Sequence, residues 1–492
     1  MRIFVSDIAK SSSVAFGTSG ARGLVTAMAD EVCFVYTAGF LQYMASLGQF
    51  APGMAVAIAG DLRPSSPRIM RACAAAVQAL GGVVAYAGFV PSPAVSLYGF
   101  SRSIPSLMIT GSHIPDDRNG IKFNRADGEL LKSDEAGIFA QQVAVPEGWF
   151  DVAGALIHTV DLGEPVDAVS AYVARYVDFF GTDALADKTV GVYEHSAVGR
   201  DVMNTVFHAL GAKTVSLGRS QQFIPVDTEA VRPEDVILAA QWALEHRFDA
   251  IVSTDGDSDR PLLSDEHGQW LRGDVLGILT ARALRADVVV TPVSSNTALE
   301  KTGEFNSVLR TRIGSPYVID AMNKALVNGE TRVCGFEANG GFLLASSFTR
   351  DGRVLPALPT RDALLPMIAT LVLAKEQDLR VSKLVASLPP RFAASDRIKA
   401  FPTERSQEIL APFMRGDEVA LATFNLQFGA LVGAKPVHID LTDGVRVSLL
   451  NDEIVHLRPS GNAPELRCYT EADSLVRAQT LCAEVIAALR NI

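Results

Sequence analysis

A chain of 492 residues with a formal net charge of −11 is long enough for three or four domains. It lacks the overall basic face that general nucleic-acid binding needs, though a local basic pocket is compatible with that balance. Its five cysteines, Cys33, Cys73, Cys334, Cys468 and Cys482, form no CxxC pair, which argues against a disulfide framework or zinc site and suits a reducing cytosol. With no basic-then-apolar leader and no run of about 18 apolar residues, the expectation is a cytoplasmic protein with no membrane partner.

Strand and helix patterns then alternate along the chain, the signature of α/β units with mostly parallel sheets. A strand is expected over 56–59 and an amphipathic helix over 68–80, stopped by Gly81-Gly82. The Ala-rich stretch 70–84, broken by Arg71 and Gln78, reads as a core helix. A strand over 107–109 follows, then scattered glycines and acids over 148–164 that mark a boundary. The second unit has a helix over 169–180 and strands over 189–193 and 248–252; the third starts near Gly273-Asp274 and holds strands over 288–290 and 332–334. At Leu388-Pro389-Pro390 the pattern changes. Two helices, 405–414 and 472–489, flank a β-rich middle at 445–450 and 453–457, an α+β arrangement. The division expected is α/β over 1–155, 156–270 and 271–388, and α+β over 389–492.

Four loops carry the chemistry. Thr110-Gly111-Ser112-His113-Ile114-Pro115 follows the 107–109 strand, with Lys122 beyond it. A serine on a tight glycine-flanked loop, next to histidine and lysine, is placed for group transfer, because a free hydroxyl needs a neighbouring base or cation. Asp255-Gly256-Asp257-Ser258-Asp259-Arg260 ends the 248–252 strand. Three alternating carboxylates repel one another unless a cation sits among them, and a hard oxygen set suits Mg²⁺ or Ca²⁺. An EF-hand is disfavoured because its sixth position must be glycine and here is Arg260. A solvated acidic loop is the other alternative. The loop Gly335-Phe336-Glu337-Ala338-Asn339-Gly340-Gly341 offers a glutamate to vicinal hydroxyls, or is a plain turn. Arg458-Pro459-Ser460-Gly461-Asn462-Ala463-Pro464, with Arg467, combines guanidinium, hydroxyl, amide and backbone donors, a phosphate-gripping set or a hairpin with surface arginines.

Taken in order, the loops resemble those of the α-D-phosphohexomutase family, from Phe16 to Arg467. Phe16-Gly17-Thr18-Ser19-Gly20-Ala21-Arg22-Gly23 resembles the opening motif, and Gly60-Asp61-Leu62-Arg63-Pro64-Ser65-Ser66 the next strand end. The segment 110–122 resembles the phosphoserine loop, 255–260 the metal loop, Thr311-Arg312-Ile313-Gly314 a turn of the third domain, Glu337 and Asn339 the sugar loop, and 458–467 the phosphate loop. Three loops depart from the pattern: Ile114 stands where Asn is usual, Asn339 and Gly341 where Ser and His are common, and Asn462-Ala463 where Thr-Glu is common.

The resemblance implies three α/β domains with mixed sheets and a C-terminal α+β domain around a central cleft, the last moving as a lid. It implies a phosphohexomutase that moves phosphate between C1 and C6 of a hexose through a phosphoserine at Ser112 and a hexose 1,6-bisphosphate, which also activates it. Mg²⁺ would be held by Asp255, Asp257, Asp259 and Ser112. Ser112, His113, Lys122, Arg22 and Arg260 would serve catalysis; Glu337, Asn339, Arg458, Ser460, Gly461, Asn462 and Arg467 would bind substrate. The expected partners are sugar phosphates, acting on a monomer or homodimer. Phosphomannomutase or phosphoglucomutase is the reading; a phosphoglucosamine mutase, a phosphatase or a non-catalytic sugar-phosphate binder are the alternatives.

Overall fold

The structure is a computed structural model describing residues 2–17, 19–460 and 464–491. It divides into two compact units, one of residues up to Val288 together with Ser315–Val385, the other of Val289–Gly314 with Ala386–Ile492. Among the described residues no helix is long and apolar enough to cross a membrane.

In the first unit, a six-stranded sheet has the order Ala15–Phe16, Gly20–Leu24, Arg118–Asn124, Ser106–Ile109, Ala55–Gly60, Val83–Phe89. The last three strands run parallel and the rest antiparallel. The central strands are runs of small or branched apolar residues because helices cover them. One such helix, Ser66–Ala79, is Ala-rich on its buried side and packs on the helix Asp30–Ser46; small side chains let the two backbones approach. The expected 70–84 core helix therefore stops early. Gly81-Gly82 breaks it, and Val83–Phe89 is a strand.

A second sheet places Lys213–Leu217, Thr189–Tyr193 and Ala250–Thr254 in parallel, with Pro261–Leu263 added antiparallel. The strand expected over 248–252 is thus shifted two residues on. A third group, Val333–Phe336, Phe342–Leu344 and Leu358–Asp362, is antiparallel. The sheets are mixed rather than mostly parallel, because short hairpins add antiparallel strands to each α/β core.

The second unit carries an antiparallel five-stranded sheet in the order Phe392–Ile398, Leu466–Ala472, Ile454–Pro459, Val445–Leu449, Pro436–Asp440. Three long helices pack on it: Thr403–Leu410, Glu418–Val432 and Leu475–Arg490. The second of them was not expected from the sequence. It is capped by Asp417, which accepts from Ala420 N at 3.0 Å, and ended by Gly433 at φ 70°. Its Phe424 and Phe428 meet Phe413 in the core, where aromatic pairing adds about 0.5–1.5 kcal/mol beyond burial. The helix expected from 472 begins only at Leu475, since Ala472 still belongs to a strand.

Candidate active site

The strand Ser106–Ile109 is buried on both faces and delivers Thr110 and Ser112 to its end. Ser112 has φ 57°, a left-handed conformation that costs a non-glycine residue roughly 1–2 kcal/mol and persists only when its surroundings over-determine it. Two braces do so. Ser112 N donates to Thr110 Oγ1 at 2.7 Å, which donates in turn to Asp61 Oδ2 at 2.7 Å. Arg63 uses all five of its donors: Nε on Asp61 at 3.0 Å, and its terminal nitrogens on the carbonyls of Pro115, Arg118, Ser112 and Ile114 at 2.6–3.0 Å. The Phe223 ring covers that guanidinium at 4.0 Å. Burial pushes the Asp61 carboxyl up, against the pull of Arg63.

The carboxylate loop begins directly after the strand Ala250–Thr254. Asp255, Asp257 and Asp259 are buried and offer oxygens within 4.8 Å of one another. Ser112 Oγ donates to Asp255 Oδ2 at 2.6 Å. The backbones nearly touch here. A Cβ on Gly256 would lie 2.7 Å from the Ser112 carbonyl oxygen, so only glycine lets the two loops meet. Asp257 Oδ2 accepts from Ser92 Oγ at 2.7 Å and Lys122 Nζ at 2.5 Å, and Lys122 also reaches Asp259 Oδ2 at 2.6 Å. Burial and the two neighbouring carboxylates push Asp255 well up. Burial opposes ionisation of Asp257 as well, but Lys122 overcomes it and holds that carboxyl low. Conversely, Asp257 and Asp259 outweigh burial and raise the Lys122 ammonium.

Asp257 Oδ1 and Asp259 Oδ1 are buried without a hydrogen-bond partner. Unpartnered buried carboxylate oxygens are costly, and three clustered carboxylates are the donor set that a hard divalent cation takes. The residues present therefore fit such an ion.

His113, Arg260 and Arg22 close the charged group. Arg260 Nη1 donates to His113 Nδ1 at 2.9 Å, and Ser112 Oγ is 3.3 Å from the same nitrogen. Burial, then Arg260 and Arg22, hold the His113 imidazole down to about 2, so it is neutral. Burial and then Arg260 lower Arg22 to about 10, which leaves it charged at neutral pH.

The loop between Val333–Phe336 and Phe342–Leu344 is a tight hairpin connection, in which Gly340 N donates to Glu337 O at 2.9 Å and Gly341 N to Asn339 Oδ1 at 2.9 Å. The Asn339 side-chain oxygen is thus spent inside the loop, and its carbonyl accepts from Thr228 at 2.7 Å. Glu337 Oε2 lies 3.4 Å from Arg361 Nη1. Sequence reading missed Arg361, which sits in the strand Leu358–Asp362 with no glycine or repeated charge to flag it. It also missed Glu129, which binds Thr360 Oγ1 at 2.7 Å and Ser315 Oγ at 3.0 Å beneath that strand. Arg63 stands in a motif quoted above, but its bracing role has no local signal.

In the second unit Arg458 and Arg467 face each other across paired strands. Arg458 Nε lies 2.8 Å from Asp443 Oδ1, and Asp443 Oδ2 accepts from Ile313 N at 3.0 Å. Arg467 Nη2 lies 3.3 Å from Glu465, and Ser460 N donates to Glu465 O at 2.8 Å. Two like charges directly opposite destabilise a sheet; two acids offset them here. Gly461 and Asn462 lie outside the described residues. The structure thus assembles Ser112, His113, Lys122, Arg22, Arg260, the three aspartates and Glu337 in one unit, and Arg458, Ser460 and Arg467 in the other.

Models of the four phosphoglucomutase/phosphomannomutase domains match residues 13–144, 170–268, 272–392 and 389–488, the first three described as alpha/beta/alpha and the last as C-terminal. A phosphomannomutase of Salmonella muenchen is 44% identical over 485 residues, 99% of this chain and 97% of that one. A phosphomannomutase of Sinorhizobium fredii is 43% identical, covering 97% and 98%. In fold, the chain resembles the crystal structure of a phosphoglucomutase/phosphomannomutase family protein from Burkholderia thailandensis, with a TM-score of 0.74 at 20% identity and 98% of both chains covered.

Proposed function

Because the chain belongs to the phosphoglucomutase/phosphomannomutase family and is therefore a phosphohexomutase, we propose that it interconverts mannose 1-phosphate and mannose 6-phosphate and accepts glucose phosphates as second substrates. Two full-length relatives that carry the name phosphomannomutase support the choice of mannose. The observation that carries the mechanism is Ser112 Oγ, held 2.6 Å from Asp255 among three buried carboxylates.

Ser112 is the residue that carries the phosphoryl group. A hydroxyl of the sugar attacks the phosphorus, its new P–O bond forming as the bond to Ser112 Oγ breaks. In the net balance the hydroxyl's proton ends on Ser112 Oγ. Lys122, kept as an ammonium by Asp257 and Asp259, protonates the leaving Ser112 Oγ, and the amine left behind takes up the proton that the attacking hydroxyl loses; the return step runs the same exchange in reverse. His113, neutral and accepting from Arg260, orients the serine. Arg22 and Arg260 stabilise the transferring phosphoryl oxygens. Asp255, Asp257, Asp259 and an oxygen of the phosphoserine would hold a Mg²⁺, which neutralises charge on the transferring group.

The resulting hexose 1,6-bisphosphate turns around and gives its other phosphate back to Ser112; added bisphosphate loads the resting enzyme, hence its role as activator. Turning requires a grip that does not depend on which end is held. Arg458, Ser460 and Arg467, with Gly461 and Asn462, hold the distal phosphate, and Glu337 with Asn339 the ring hydroxyls.

The test is ³¹P NMR of the protein with Mg²⁺, a trace of glucose 1,6-bisphosphate and mannose, glucose or glucosamine 1-phosphate in turn. A 6-phosphate signal from mannose, with glucose second, is the expected result. Conversion of glucosamine 1-phosphate alone would reassign the substrate. Free phosphate would mean a phosphatase, and no conversion at all a binding protein.

A further inference from the structure

Arg361 contrasts with Arg63. Both are buried, but Arg63 spends every donor on short bonds to carbonyls and one carboxylate. The Arg361 guanidinium has Nε 3.1 Å from Asp259 Oδ2 without hydrogen-bond geometry, Nη1 3.4 Å from Glu337 Oε2 and Nη2 3.4 Å from Ser19 Oγ. A five-donor fork taken out of water and given only long contacts is poorly satisfied. It lies between the carboxylate loop and the sugar loop, within reach of both. Asp259 first, then Glu129 and Glu337, outweigh burial and hold it charged.

Its place in the site depends on Gly341. That glycine does not have a left-handed φ, so its backbone does not demand glycine. Its space does: a Cβ there would lie 2.7 Å from Arg361 Cδ and 2.8 Å from Cγ. The stem of Arg361 fills the volume that a side chain at 341 would take. Where the family pattern often places a histidine in the sugar loop, the glycine here leaves that volume to the Arg361 stem.

We propose that Arg361 contacts the substrate, donating its unspent N–H groups to the phosphoryl oxygens beside Ser112, and that Gly341 is the small partner that admits it. The cationic contact of the sugar loop thus comes from the strand Leu358–Asp362 and not from the loop. This rests on the mutase reading for the identity of the ligand, a hexose phosphate.

The experiment compares full-length wild type, R361A, R361K, G341H and G341H/R361A. Calorimetric binding of mannose 6-phosphate is measured beside turnover, and thermal melting checks each fold. R361A should bind 10- to 100-fold more weakly, the scale of a lost charge-assisted hydrogen bond, and free guanidinium ion at millimolar concentration should restore part of its turnover. R361K keeps the charge and loses the fork, so its affinity should fall between the two. G341H should lose activity through the clash, and G341H/R361A should exceed G341H alone. If R361A does not fold, R361K and the double variant decide the matter. R361A binding within threefold of wild type, R361K binding as tightly as wild type, no response to guanidinium, or a double variant no better than G341H would overturn the proposal. Loss of turnover by the wild type with binding intact, and still sensitive to R361A, would instead sink the mutase reading and leave the Arg361 contact standing.

Discussion

Ser112 Oγ and Asp255 Oδ2 lie 2.6 Å apart, although one closes a strand of the six-stranded sheet and the other a strand of the four-stranded sheet. The contact puts a hydroxyl against a carboxylate that burial and two further carboxylates have pushed well up. Replacing the serine by alanine should abolish covalent labelling from radioactive glucose 1,6-bisphosphate and reduce turnover by on the order of 10⁵-fold, with the fold unchanged by circular dichroism. Label retained in S112A would assign the phosphoryl group to another residue.

Metal removal should act on the same loop. Chelation is expected to stop turnover and added Mg²⁺ to restore it. Mg²⁺ at 100 times its dissociation constant should also stabilise the protein by about 2.7 kcal/mol, read as a rise in melting temperature. D257N should lose that rise. A melting temperature indifferent to Mg²⁺ in the wild type would argue that Lys122, which bridges Asp257 and Asp259, is the loop's permanent counter-ion.

Arg63 and Asp61 form an ion pair with neither side chain exposed. Removing one member of such a pair typically costs about 3–5 kcal/mol, because a buried charge is left alone. R63M should therefore melt at a lower temperature and release the serine loop to limited proteolysis. An intact loop in R63M would mean that Thr110 and Asp61 suffice to hold it.

The proposed grip of Arg458 on the distal phosphate can be tested apart from the chemistry. R458A should raise KM about 10- to 100-fold, the range for a charge-assisted phosphate contact, and leave Ser112 phosphorylated. An unchanged KM would remove Arg458 from the distal phosphate.

Acid stability follows from two buried histidines. Burial lowers His195 and His456 to about 4, from an ordinary 6.5, despite carbonyl partners at 2.8 and 2.6 Å. Both are neutral when folded, so the unfolded chain binds more protons below 6.5. The stability is fully present above pH 6.5. It declines as pH falls from 6.5 to 4, by about 1.4 kcal/mol per pH unit for each histidine. Denaturant titrations of wild type and H456Q across that window should show a flatter slope in the variant. Identical slopes would place the acid sensitivity elsewhere.

The loops of the candidate site were legible because their signals are local. Gly-flanked Ser112-His113, the alternating Asp255, Asp257 and Asp259, and the Arg458-Pro459-Ser460 turn each concentrate unusual chemistry in a few neighbouring residues. Alternating strand and helix patterns likewise exposed three α/β units and an α+β end. What failed were the edges. The 70–84 stretch hid a strand behind an Ala-rich helix, and Glu418–Val432 was overlooked because its exposed face carries Val419 and Leu426 among its apolar residues, which blurs the amphipathic period.

The sequence by itself determined the order of the chemical loops, the carboxylate set and the serine, because each follows from which atoms neighbouring residues bring. Only the tertiary structure decided how they serve one another. The four bonds of Arg63 to the carbonyls of the serine loop, the fit of Gly256 against the Ser112 carbonyl, and the packing of the Arg361 stem against Gly341 join residues from 20 to 144 positions apart. No local pattern encodes such contacts, since they arise from the packing of separate sheets, in which one side chain occupies the space another leaves.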